Sequence, residues 1–207
     1  MLKSWWIVAA TILWLPLWPA PAPAEVVSIG ARSLTLDPIA GYCALDKTND
    51  NERRVYGAAE SAVSAQYGLL AYWVDCDVLK DFRAGGSKAL IPYVLVMATK
   101  KYDWVYTTTL SRQDVVDRTF AELAKGPKVP GVMERDADGV YFGQMRQITS
   151  DQKTVAMAGV TGMTKVKRFV LSAVAYDIYA DEQTFRTLKD RAATTVRSLI
   201  AANRADE

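Results

Sequence analysis

The sequence predicts an α+β domain, an α/β/α sandwich whose largely antiparallel sheet carries helices on both faces. Three observations predict it. Up to about residue 125, strand-like apolar runs alternate with amphipathic stretches at helical spacing. A meander of strands and tight turns follows, and then one last amphipathic helix. Finally, the strand KRFVLSAVAYDIY is apolar on both faces, with Phe169, Leu171, Ala173 and Ala175 on one and Val170, Val174, Tyr176 and Ile178 on the other. Such a strand needs cover on both sides.

The elements follow in order. Residues 26–36 alternate as a first strand, with Ile29, Leu34 and Leu36 apolar, until Asp37-Pro38 breaks it. Asn49-Asp50 caps a helix over 51–66, whose Val55, Ala59, Ala62 and Val63 share a face. YGLLAYWV is a continuous apolar run and reads as a buried central strand. The short helix DVLKDFRA, capped by Asp77, ends at Gly85-Gly86. Residues 91–100 form a β-rich run behind Pro92, which predicts an edge strand or a strand start. Ser111 and Asp114 make a capping-box start for a helix over 112–125, which Gly126-Pro127 stops. The meander then runs through PGVMER, the turn Asp136-Ala137-Asp138-Gly139, VYFGQMRQIT, a turn at 150–153 and TVAMAGVTG to the two-faced strand. The final helix, 181–202, presents Phe185, Leu188, Ala192, Val196 and Leu199 as a stripe that covers one face of that strand.

The first residues carry a compartment signal. Lys3, the apolar run Trp5–Leu15, the helix breakers Pro16 and Pro19, and Ala22-Pro23-Ala24 match a secretory signal peptide cleaved before Glu25. An uncleaved anchor helix is the alternative, but the run is shorter than the roughly 20 residues of a span. The expectation is a leader at 1–24 and a single domain at 25–207, periplasmic or secreted, with no stable membrane span after cleavage. Export implies an oxidising compartment, so the only two cysteines, Cys43 and Cys76, read as one disulfide; two separate buried thiols are the alternative.

Composition excludes more than any motif establishes. The chain has no histidine, which removes Ser-His-Asp and Cys-His nucleophile activation and the common imidazole-built zinc sites. Lys and Arg number 25, one of them Lys3, against 23 acidic residues, so no electrostatic footprint for nucleic acid is expected. No metal or cofactor is expected either. Asp136-Ala137-Asp138-Gly139 echoes the start of a calcium loop, but the twelfth position is Gln147, not the Glu such a loop needs, and the hairpin reading is preferred.

Two segments resemble PsbP-like domains, including the DcrB-type proteins of bacterial envelopes. One is LTLDPIAGYC, an early strand followed by Pro38 and the Gly41-Tyr42 pair. The other is the ending, a long strand and then an amphipathic helix with a late Ser198-Leu199. The resemblance implies an α/β/α sandwich with a binding or assembly role and carries over no catalytic residue. The expected partner is a protein or small ligand of the cell envelope.

The candidate binding stretch is Lys100, Lys101, Tyr102, Trp104 and Tyr106, where aromatics with polar handles stand beside cations. The competing reading is a half-buried strand on which Tyr102, Trp104 and Tyr106 share one face and simply pack. The rival function is a histidine-free hydrolase built on carboxylates such as Asp75, Asp77 or Glu134, with Asp81 nearby. It needs those groups to converge in one pocket.

Overall fold

The computed structural model describes residues 24–86, 89–101, 104–150 and 153–204. The expected leader, apart from Ala24, lies outside them. The elements are β1 Glu25–Ile29, β2 Arg32–Leu36, β3 Tyr42–Ala44, α1 Asp50–Val63, β4 Tyr67–Asp75, α2 Cys76–Arg83, β5 Tyr93–Lys101, β6 Trp104–Val105, α3 Arg112–Lys125, β7 Met133–Arg135, β8 Val140–Ser150, β9 Lys153–Val166, β10 Phe169–Ile178 and α4 Glu182–Ala202. The main sheet follows the path β3-β4-β5-β10-β9-β8-β7, with β6 paired onto β5, and β1-β2 form a separate ribbon. Every strand pairing among the described residues is antiparallel.

The two faces of β10 divide the core. Phe169, Leu171, Ala173 and Ala175 join one cluster with Leu188, Val196 and Leu199 of α4 and with Leu34 and Leu36 of β2. Val174 and Tyr176 join the other, with Leu79 of α2 and with Val55 and Ala59 of α1 packed against it. Helix α3 lies on this second face too, where the Thr119 hydroxyl donates to the Met163 sulfur of β9. The predicted sandwich is therefore present: α4 and the β1-β2 ribbon on one side, α1, α2 and α3 on the other.

Helix starts follow local chemistry. The side chain of Asn49 accepts from the backbone of Asn51 and Glu52, and Ser111 and Asp114 form the capping box expected for α3. Asp136 Oδ1 accepts from the N–H groups of Asp138 and Gly139, each at 2.9 Å, which closes the predicted β7-β8 turn. The disulfide joins Cys43 of β3 to Cys76 at the start of α2. Gly41, at φ +82°, lets the chain turn there so that its carbonyl accepts from the Cys76 N–H at 2.9 Å.

Five expectations need correction. Residues 26–36 are not one strand but the β1-β2 hairpin, because Gly30 at φ +60° permits a reversal that the alternation conceals. Helix α2 is capped by Asp75, which accepts from Asp77 N and Val78 N, so it starts two residues earlier than a cap at Asp77 would allow. Strand β5 is not an edge but lies between β4 and β10; of the two readings the strand start holds, since Pro92 immediately precedes the first paired residue, Tyr93, and costs no ladder hydrogen bond. The stretch from Lys100 to Tyr106 is a reversal rather than one strand, since Lys100 pairs with Val105 and Lys101 with Trp104. Ile178 ends β10 and is 51% exposed, so the helices do not cover the whole two-faced strand.

Candidate functional site

The helices on the second face leave a gap. Helices α1 and α2 cover the β4-β5 half, α3 covers part of the β9-β8 half, and between them runs a groove of about 410 Å³ floored by the sheet. Its floor takes side chains from three adjacent strands: Gln144 and Arg146 of β8, Thr161 of β9, and Ser172 and Tyr176 of β10. The register sets this grouping, because Gln144 and Tyr176 both lie opposite Gly159, and Phe142 and Val174 both lie opposite Thr161, which brings alternate residues of all three strands to one face.

The groove continues into two apolar recesses. One, of about 250 Å³, meets it at Tyr67 and is walled by Tyr106, Leu110, Val115, Met163 and Val170. The other, of about 420 Å³, meets it at Phe142 and Gln144 and is walled by Leu123, Pro127 and Val129. The site is thus a polar strip between two greasy ends, the usual composition of a small-molecule cleft.

Tyr176 is the centre of the strip. Its ring lies over Gly159, where any Cβ would come within 2.5 Å of a ring carbon, so β9 needs glycine there. The ring ends a row of tyrosines: Tyr72 and Tyr93 stack with centroids 5.1 Å apart, and Tyr93 and Tyr176 lie 5.0 Å apart. The guanidinium of Arg146 sits over the Tyr176 ring, 4.5 Å from its centroid. The phenol oxygen accepts from Gln144 Nε2 at 2.9 Å and from Arg146. Burial raises the phenol pKa to about 12 by more than Arg146 lowers it. The phenol is therefore neutral at neutral pH, and with both contacts accepted it keeps its own proton to donate. Beside it, the Ser172 hydroxyl is buried with no hydrogen-bond partner, on a residue only 1% exposed. The strip offers the hydroxyls of Thr161, Ser172 and Tyr176, a carboxamide and a guanidinium, and no carboxylate lines it among the described residues. That set can hold an acceptor-bearing or anionic head.

Of the residues singled out in the sequence, Tyr106 lines a recess and is 37% exposed. Lys100 points its ammonium to the Ser64 carbonyl at 3.4 Å, near the end of α1, and Lys101 is exposed. Tyr102 and the side chain of Trp104 lie outside the described residues. The carboxylates do not come together. Asp75 caps α2 at the end of β4, Asp77 is exposed, and Glu134 on β7, at the far end of the sheet path, pairs with Lys189 at 3.0 Å. Asp75, Asp77 and Asp81 form no group fit to hold a metal among the described residues.

The groove residues were missed in the sequence because each strand supplies only one or two of them. A faint signal existed: polar Gln144 and Arg146 alternate on a strand of the sheet interior, and Ser172 and Tyr176 interrupt the most apolar strand in the chain. Compared with known proteins, the chain matches no family model and no curated protein.

Proposed function

We propose that the chain is an exported, non-catalytic binding module of the cell envelope, and that it holds a small amphipathic ligand in the groove between α1 and α3. Its acceptor-bearing head lies against Arg146, Gln144, Tyr176 and Ser172, and its apolar body extends towards Met163 and Val170 or towards Leu123 and Val129. The observation that carries the reading is the buried Ser172 hydroxyl, unpaired at the floor of an open groove. A polar group left so costs about 1–3 kcal/mol, which a ligand accepting its proton would recover. The disulfide and the features of residues 3–24 support export. The resemblance to PsbP-like envelope domains supports a binding role over a catalytic one.

Anilinonaphthalene sulfonate, an aromatic body with an anionic head, is a suitable probe. The folded protein is expected to bind it saturably at one site, and Arg146→Ala is expected to weaken binding at least about tenfold by removing a charged donor. Absence of saturable binding, or equal binding by the variant, would count against the groove as the site.

A further inference from the structure

A second cavity, of about 470 Å³, opens at the other end of the β9-β10 hairpin and is lined by Arg32, Arg112, Lys165, Lys167 and Arg168 together with Thr108 and Thr109. The chain as a whole is nearly neutral, with 25 basic and 23 acidic residues, yet five of its cations meet here and no carboxylate lines the wall among the described residues. Only part of this is visible in the sequence, as the run Lys165-Val166-Lys167-Arg168; the fold adds Arg32 from the start of β2 and Arg112 from the first turn of α3.

The cations are held in place rather than merely adjacent. Arg112 Nε donates to the Lys165 carbonyl at 3.0 Å, and Lys167 Nζ donates to the Ser33 carbonyl at 2.7 Å. The Thr108 N–H donates to the Arg168 carbonyl at 2.8 Å, which ties the loop before α3 to the hairpin turn. Lys167 is only 8% exposed and occupies the left-handed region at φ +55°, a conformation that favours glycine or asparagine. A turn that needs only a tight reversal would be served better by glycine.

We propose that this cavity is a binding site for a phosphate-type oxyanion carrying two or more negative charges. The guanidinium groups supply paired donors for phosphate oxygens, the ammonium groups supply point charges, and the threonine hydroxyls complete the coordination. The volume suits a pyrophosphate group or the phosphate end of a larger molecule, free or in a lipid headgroup. The site stands apart from the groove and does not depend on the groove binding anything.

The test is calorimetric titration of the folded protein with sodium pyrophosphate at low ionic strength, with thermal unfolding in parallel. A second arm measures co-sedimentation with phosphatidylcholine vesicles with and without phosphatidylglycerol. Wild type is compared with the double variant Lys165→Gln/Arg168→Gln and with Lys80→Gln, an exposed lysine of α2. Saturable pyrophosphate binding is expected to raise the unfolding midpoint by roughly 5 °C at high occupancy. Binding is expected to be at least about tenfold weaker in the double variant, unchanged in Lys80→Gln, and weaker with added salt. Binding to phosphatidylglycerol vesicles that needs Lys165 and Arg168, without pyrophosphate binding, would also uphold the site and assign it to a lipid headgroup. No binding in either arm, or binding equal in the double variant, overturns the proposal. Arg168 is exposed, and the unfolding midpoint without ligand shows whether the double variant is folded.

Discussion

Ser172 and Glu52 are both buried polar residues, and they behave oppositely because one lacks partners and the other has them. The Ser172 hydroxyl has none, so Ser172→Ala removes an unmet donor at almost no loss of volume. It is expected to raise stability by about 1 kcal/mol while weakening binding of the anionic probe, and chemical denaturation with and without probe reads both. Glu52, 0% exposed, receives Arg83 Nε at 2.8 Å, Arg83 Nη2 at 2.9 Å and the Asp46 N–H at 2.7 Å. Burial alone would raise its pKa; the guanidinium and the amide outweigh burial and hold it below the usual carboxylate value. A lowered folded-state pKa means that the stabilisation is present above the unfolded pKa of about 4.3 and is lost as pH falls through the folded value. Arg83→Ala leaves the carboxylate buried with the Asp46 N–H but no counter-charge. Because Arg83 is itself half-exposed, the expected loss at pH 7 is about 2 kcal/mol, below the range for fully buried pairs. Urea melts at pH 7 and pH 3 check it: the variant should lose less than wild type does on acidification.

At the scale of elements, legibility followed how local the cause is. Helix α3 is found at its expected limits because Ser111, Asp114, Gly126 and Pro127 encode its ends within the element itself. The β1-β2 reversal was hidden because Gly30 alone carries it. The groove was hidden more deeply, since Thr161, Ser172 and Tyr176 each sit in an ordinary strand and only the register of β8, β9 and β10 makes them neighbours. The disulfide was legible from parity and compartment, and its role is clearest on β3. That strand has three residues at the end of the sheet path, and the short β7 ends the other side, so neither terminal strand offers a long template for pairing with another chain. The staple closes 33 residues of sequence between β3 and α2. Cys43→Ser/Cys76→Ser is expected to lose about 3–4 kcal/mol of unfolding free energy on the chain-entropy account, measured by denaturant melts against the oxidised wild type. A loss under about 1 kcal/mol would show that β4 and α1 hold the region without it.

At the scale of the molecule, one sheet separates two unlike faces. The α4 face is closed and apolar, with Leu188, Ala192, Val196 and Leu199 packed on β10 and its neighbours, and it provides the stable scaffold. The opposite face is covered incompletely, and there the buried side chains turn polar. Binding groups held on strands of a rigid sheet are well placed to keep their geometry without ligand, which reduces the ordering cost of association. The basic cavity adds a second charged opening at the β9-β10 turn, on the same long hairpin that floors the groove. Binding at the partly covered sheet face is checked by amide chemical-shift mapping of the folded, oxidised protein titrated with anilinonaphthalene sulfonate. The predicted result is a saturable set of shifts centred on Gln144, Arg146, Thr161, Ser172 and Tyr176 and spreading to Tyr67 and Phe142. Shifts confined to α4, to the β1-β2 ribbon or to the β9-β10 turn, with those residues unmoved, would contradict it.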